Sequence, residues 1–104
     1  MGNPVLQIVS GTGTAAPVAL DWLRCPFAAT VSVTVPGGVT AAFTLEQTLD
    51  NVMTTPAASV RWYTETGSPT TASGVVHLTT PVCAVRLNVT SLTGGNLELR
   101  AVQG

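Results

Sequence analysis

The chain has 104 residues, of which four are Lys or Arg and five are Asp or Glu, and its net charge is −1. This length corresponds to one domain, and an apolar content of 45% is enough for a core and argues against a disordered chain. Only 9% of the residues are charged, whereas about a quarter are charged in an ordinary soluble domain. Because a surface with so few charges resists association poorly, much of it is predicted to contact other protein. Four scattered arginines exclude the basic face that nucleic-acid binding requires.

Apolar runs, the first residues and the cysteines indicate the compartment in which the chain is made. No apolar run approaches the roughly 18 residues needed to span a bilayer, so no membrane contact is expected. The first residues lack the basic start of a secretory signal, so synthesis in a cytosol is expected. In that compartment Cys25 and Cys83 are interpreted as buried free thiols, with a disulfide between them left open as the alternative.

In chain order, the first half alternates apolar and polar residues with period two, which predicts strands. Val5–Val9 is predicted as a strand, residues 11–14 as a loop and 18–20 as a short strand, with at most a turn of helix within residues 18–24. Residues 29–35 and 39–49 are predicted to form a hairpin about the Pro-Gly-Gly turn. Its second strand is expected to direct Ala41, Phe43, Leu45 and Leu49 to one face and Thr44, Glu46 and Thr48 to the other.

The second half continues this pattern. A loop or one helical turn at residues 50–56 precedes a predicted strand at 58–65, in which Val60 and Trp62 share a face. Further strands are predicted at residues 73–79, 83–89 and 96–102, and the last two are predicted to form a hairpin about Gly94 and Gly95. The expected inward residues of these last strands are Cys83, Val85, Leu87, Val89, Leu97 and Leu99, and the expected outward residues are Ala84, Arg86, Asn88, Glu98 and Arg100. The whole chain is therefore predicted to be all-β: a single β-sandwich, jelly-roll-like or Ig-like, of about seven to eight antiparallel strands.

The residues that carry chemistry are few and scattered. Residues 11–16 fit the spacing of a dinucleotide-binding loop, but Pro17 and a β-like run follow where a helix must open. His77 is the only histidine, and the five acidic residues form no recognisable acid–base pair. No catalytic residue, metal or cofactor is predicted, and the chain is not expected to be an enzyme.

Two groups of residues are predicted to contact partners. Trp62 and Tyr63 are neighbours in a predicted strand and must face opposite sides, so an outward aromatic beside Arg61 has the composition of an interface anchor. The alternative is a side chain covered by a loop. Residues 1–10 precede a Gly-rich hinge and are predicted to be an arm that contacts or exchanges with a neighbour through Val5, Leu6 and Ile8.

Three stretches carry a family resemblance. These are GTGTAAPVALDW at residues 11–22, VTAAFTLEQTLDN followed by VRWY in the middle of the chain, and the closing PVCAVRLNVTSLTGGNLELRAVQG. The resemblance depends on five features within these stretches. They are the T-x-D at residues 48–50, Trp62, the PVCAVRLNVTS run at 81–91, the Gly94-Gly95 turn and the closing Gln-Gly. In this ordering the chain resembles small virion proteins of tailed bacteriophages, and the closing motif is the most specific part.

The resemblance implies a non-enzymatic structural role in a phage particle. The expected role is a decoration or cement protein that bridges major capsid subunits on the head, made in the host bacterial cytoplasm and located in the virion. Its implied partners are the major capsid protein and copies of itself, as a dimer or trimer. A neck or tail component is the alternative that the resemblance leaves open. A second alternative, from the residues, is a carbohydrate-binding module that uses Trp62 or Tyr63 with Arg61 and Glu65.

Overall fold

The computed structural model describes residues 5–23, 27–68 and 70–103. These residues form two antiparallel sheets packed as a sandwich, and their only helical element is a three-residue 3₁₀ turn at Ala57–Ser59. The strands are β1 Val5–Val9, β2 Gly13–Thr14, β3 Val18–Ala19, β4 Ala29–Thr34, β5 Thr40–Thr48, β6 Tyr63–Thr64, β7 Gly74–Leu78, β8 Ala84–Thr93 and β9 Leu97–Gln103.

The strand order is that of a jelly roll. Sheet A has the order β1-β9-β4-β7, and sheet B has the order β2-β8-β5-β6, with β3 pairing β8 on the same side as β2. Because β2 and β3 are two halves of one strand interrupted at residues 15–17, the sandwich has eight strand positions arranged as two Greek keys. The predicted β-sandwich is confirmed, and of its two forms the jelly-roll order is the one observed.

Both predicted hairpins are wrong. Strand β4 lies in sheet A and β5 in sheet B, and β8 lies in sheet B and β9 in sheet A. The two glycine-rich turns therefore carry the chain from one sheet to the other. Gly and Pro end a strand through their backbone conformations, but they do not determine whether the next strand pairs with the one just completed.

Alternation along the strands builds the core, as predicted. In β4 the residues Val31 and Val33 point inward between Thr30, Ser32 and Thr34. The fully buried side chains of the core come from both sheets, and the largest are Leu45, Leu87, Leu97, Leu99, Val31, Val85 and Val89. The predicted inward positions of β8 and β9 are thus confirmed, which leaves the opposite face of each sheet to solvent or to partners.

The alternation fails where strands end. Leu49 was expected inward but is 68% exposed, whereas Thr48 and Ala84 were expected outward and are fully buried. Thr48 and Ala84 are partners in the β5–β8 ladder. The backbone N–H of Cys83 donates to the Thr48 carbonyl, and the Asp50 N–H donates to Thr48 Oγ1. These bonds hold the adjoining chain against the strand ends, so the period-two pattern stops at Thr48.

Two further expectations need correction. The predicted strand at residues 58–65 is reduced to Tyr63–Thr64, since the 3₁₀ turn occupies its first residues. Residues 11–14, predicted as a loop, contribute the short strand β2 that pairs with β8. The turn at residues 22 and 23 lies where one helical turn was considered, and residues 24–26 lie outside the described residues.

Candidate interaction surface

The outer face of sheet A, here called the A face, carries aliphatic side chains in the open. Four of its residues are roughly half exposed: Leu6 at 55%, Ile8 at 51%, Val75 at 54% and Val102 at 43%. They come from three strands, β1, β7 and β9. The other side chains of the A face are polar: Thr30, Ser32, Thr34, His77, Glu98 and Arg100. Leu6 and Ile8 are neighbours on β1, whereas Arg100 and Ser32 lie between Leu6 and Val75 in the ladder, so the A face mixes aliphatic and polar groups.

The charged groups of the A face lie at its centre and form a pair. Arg100 Nη1 lies 2.7 Å from Glu98 Oε1, and both residues are on β9. Arg100 Nη1 also donates to Thr34 Oγ1 at 3.5 Å. The A face therefore carries one positive and one negative group and has no net charge when His77 is neutral. Which of these two charges a partner meets depends on how the partner is oriented on the face.

Among the residues that the structure describes, both borders of sheet A are unguarded strand edges. Strands β1 and β7 end the sheet order, and each has five residues without a charged side chain or a proline. Natural proteins usually protect such edges with charges, prolines, bulges or very short strands. Sheet B follows that rule among the described residues, because its bordering strands β2, β3 and β6 have two residues each.

The direction of the free backbone groups in β1 follows from the ladder. Val35 donates its N–H to Ser73 Oγ, on the β7 side of β4. Since successive residues of a strand direct their N–H and C=O groups to opposite sides, the bonds alternate across β4 and β9. This alternation directs the backbone of Gln7 toward β9 and the backbones of Leu6 and Ile8 toward the open edge.

The predicted arm residues therefore belong to the sheet in this structure. Val5, Leu6 and Ile8 are exposed, and β1 pairs with β9 over five residues. Val9 is buried, and Gln7 Nε2 donates to the Ala16 carbonyl at 2.9 Å. The segment is anchored at its C-terminal end and open along one edge, and residues 1–4 lie outside the described residues. Exchange of this segment with a neighbour stays a prediction.

The second predicted group, Arg61, Trp62 and Tyr63, lies beside sheet B, and its members do not share one surface. Trp62 is half-buried, and the Arg86 guanidinium lies 4.1 Å from the centre of its ring. Arg86 Nε also donates to Glu46 Oε1 at 2.7 Å. The cation–π contact and the ion pair fix Trp62 against the sheet, so one face of its ring is covered.

A concavity of about 380 Å³ on this side of the sandwich is lined in part by Trp62 and Val60. The two residues therefore share a face, as predicted, although the strand that was predicted to contain them is absent. Tyr63 points elsewhere, is 60% exposed and lies beside Leu49 and Gln47. Arg61 is exposed, and its backbone N–H donates to Asp50 Oδ2 at 2.7 Å. The predicted aromatic anchor thus reduces to Tyr63, with Trp62 held by Arg86.

Cys83 is a free, buried thiol, in agreement with the first interpretation of the cysteines. Its Sγ donates to the Leu49 carbonyl oxygen at 3.1 Å. Burial raises the pKa of this thiol, and the negative charge of Asp50 adds to the effect. Cys25 lies outside the described residues.

Within residues 5–23, 27–68 and 70–103, no group of three or more His, Cys, Asp or Glu side chains is placed to hold a metal ion. His77 lies on the A face, where its Nδ1 is 3.4 Å from Thr30 Oγ1. None of the described helical residues forms a helix long and apolar enough to cross a membrane.

Sequence reasoning missed three residues of these surfaces. Val75 and Val102 were not singled out, although their alternation with the inward Val76 and Ala101 places them outward. Arg86 was predicted to point outward, but its stacking on Trp62 was not foreseen. The two are far apart in the chain, and a contact between distant residues leaves no local signal.

Comparison with protein-family models, with curated proteins and with solved structures finds no significant match to this chain. The fold and the surfaces therefore carry the functional argument.

Proposed function

We propose that this protein is a non-enzymatic structural component of a bacteriophage particle, which decorates the capsid shell and bridges major capsid subunits. The observation that carries the proposal is the unguarded edge of β1. Its five residues expose Val5, Leu6 and Ile8 and contain no charge or proline that would discourage pairing. An edge of this kind binds an extended partner segment by adding a strand to the sheet.

The composition and the fold are consistent with this role. A decoration protein is in contact with neighbours on many sides, so it has little need for the charges that keep a free monomer soluble. The jelly roll recurs in viral capsid domains, and also in lectins and cupins. This similarity is one of fold alone, and the function must rest on the edge and the surfaces.

Two other roles deserve comparison. A neck or tail component would use the same edge strand and differs in the number of copies per particle. A carbohydrate-binding module would need exposed aromatic faces beside polar groups. Trp62 and Tyr63 lie on different surfaces and Arg86 covers one face of the Trp62 ring, so the two aromatic side chains do not form one platform, which gives that role less support.

Blocking the edge of β1 tests the proposal without removing the strand. The substitution Ile8→Pro removes one N–H that faces the open edge, and proline is tolerated at such positions. We expect a folded protein whose occupancy on capsid shells that lack it falls at least ten-fold, measured by cosedimentation and gel densitometry. The equivalent substitution Val75→Pro on the β7 edge is the matched control, and we expect it to leave occupancy within two-fold of the unmodified protein.

Unchanged occupancy of a folded Ile8→Pro protein would contradict attachment through β1. The number of copies in purified particles decides between head and tail: hundreds of copies indicate shell decoration, and about a dozen or fewer indicate a ring in the neck or tail. The Ile8→Pro variant is preferable to deletion of residues 1–10, because that deletion would also remove the buried Val9 and uncover the edge of β9.

A further inference from the structure

We infer that the A face is a self-association surface, on which a second copy of this chain packs about a two-fold axis. The axis lies in the plane of contact, runs perpendicular to the strands and passes over Leu99. The inference does not depend on the phage particle proposed above, since it concerns only two copies of this protein. It leaves the outer edge of β1 free in both copies.

The ladder register makes the A face complementary to itself. Glu98 and Arg100 lie one on each side of Leu99 along β9, and they are paired with Ile8 and Leu6 respectively on β1. The axis over Leu99 exchanges these positions. Glu98 of one copy then faces Arg100 of the second copy, and Leu6 faces Ile8. Opposite charges meet opposite charges and aliphatic groups meet aliphatic groups, as a two-fold interface requires.

The neighbouring strand extends the match. On β4, Ser32 is paired with Arg100 and Thr34 with Glu98. The same axis therefore sets Ser32 against Thr34 of the second copy, which joins two hydroxyl groups that can hydrogen-bond. Three adjacent strands thus agree on one axis.

The alternative axis, parallel to the strands, does not give this match. Placed over β9, it would set Glu98 against Glu98 and Arg100 against Arg100 at the centre of the contact. Like charges directly opposed across an interface are unfavourable. Among the two-fold axes that pass over β9, the charge order therefore selects the perpendicular one, with the two sheets packed in an aligned manner.

The size of the face sets the expected strength. Four strands with five to seven residues each cover roughly 20 by 20 Å at normal strand spacings. This is about half of what one partner contributes to a standard stable interface. We therefore expect a weak dimer, with a dissociation constant in the micromolar to millimolar range, which becomes effective where many copies are held close together.

Charge substitutions test the axis directly. Glu98→Arg and Arg100→Glu each place like charges opposite one another in a dimer, so each variant alone is expected to raise the dissociation constant at least ten-fold. An equimolar mixture of the two variants restores opposite charges at every contact and is expected to associate within three-fold of the unmodified protein. The double variant Glu98→Arg/Arg100→Glu is expected to do the same. The measurement is sedimentation velocity over a concentration series up to about 1 mM.

A matched control and a second variant keep the test decisive. Arg61→Glu makes the same charge change as Arg100→Glu, but beside sheet B, and is expected to leave dimerisation unchanged. Leu6→Thr removes the aliphatic contact without any change of charge and is expected to weaken the dimer. Thermal unfolding of each variant verifies the fold.

The inference is overturned by any of three results. The first is a protein that stays monomeric at about 1 mM. The second is a mixture of the two single variants that stays dissociated, which would exclude this axis. The third is a loss of association in Arg61→Glu as large as in Arg100→Glu, which would assign the contact to another surface.

Discussion

At the scale of single residues, buried polar groups are tied to the backbone near the ends of β5 and β8. Thr48 is fully buried, and its carbonyl and hydroxyl oxygens both accept hydrogen bonds from backbone N–H groups. Cys83 supplies one of these N–H groups and also donates its Sγ–H to the Leu49 carbonyl. The thiol therefore acts as a hydrogen-bond donor that closes the strand end, which requires it to stay protonated.

The protonation of Cys83 predicts how stability depends on pH. Because burial raises the pKa of this thiol, its contribution to stability is full below the pKa of the unfolded chain, about 8.5. The contribution is lost as the pH rises through the higher pKa of the folded state. In a Cys25→Ser background, we expect the difference in unfolding free energy between Cys83 and Cys83→Ala proteins to shrink as the pH rises above about 8.5, as measured by urea denaturation at each pH.

The comparison with Cys83→Ala removes the titration of other groups, since both proteins share them. A difference that is constant with pH, or that grows toward alkaline pH, would contradict the proposed role of the thiol as a donor. Slow modification of Cys83 by thiol reagents at pH 8, at a rate that follows unfolding, would support the same view of its burial.

At the scale of strands, the sequence determines local structure far better than pairing. The alternation in β4, β8 and β9 fixes which residues face the core, because each strand has one buried face. The same pattern is silent about which strands are neighbours. The Pro-Gly-Gly and Gly-Gly turns predict hairpins when considered locally, yet both cross between sheets, because the jelly roll pairs β4 with β9 and β5 with β8.

The candidate surfaces were predictable to a similar extent. Val5, Leu6 and Ile8 were expected to contact a neighbour as part of an arm at residues 1–10, and one outward aromatic was expected beside Arg61. That these groups lie on different sheets could not be predicted, since it depends on the pairing. The stacking of Arg86 on Trp62 and the arrangement of Glu98 and Arg100 beside β1 need the ladder registers as well.

The two glycine-rich turns that cross between the sheets contact each other, and this contact requires a glycine at position 94. Gly94 has a φ of +91°, and a Cβ on it would collide with the carbonyl oxygen of Gly38 in the other turn. We expect Gly94→Ala to destabilise the fold by about 2 kcal/mol or more, because it combines a strained left-handed conformation with a backbone clash. The measurement is the free energy of unfolding in urea.

Gly11→Ala is the matched control for Gly94→Ala. A Cβ at Gly11 would meet no atom within 4 Å. We expect a change near zero, or a gain of up to about 1 kcal/mol from the lower entropy of the unfolded chain. Equal losses at the two positions would show that contact between the turns is unimportant.

At the scale of the whole molecule, the sandwich is closed by its last strand. Strand β9 lies between β1 and β4 in sheet A, so it joins the first strand of the chain to the middle of the fold. Its end is also tied to the chain after β3: Gln103 Oε1 accepts from the Asp21 N–H, and Gln103 Nε2 donates to the Asp21 carbonyl. Most pairings therefore join distant parts of the chain, and folding is expected on the slow scale of milliseconds to seconds.

This topology predicts that a chain ending at Asn96 does not fold. It would lose the buried Leu97 and Leu99 and leave β1 and β4 without the strand that pairs with both. We expect no cooperative thermal transition in circular dichroism. Gln103→Ala keeps the strand and loses only the two bonds to Asp21, so we expect it to fold with a cost of about 1–2 kcal/mol. A cooperative transition in the truncated chain would mean that sheet B folds on its own, which would contradict the single core that both sheets share here.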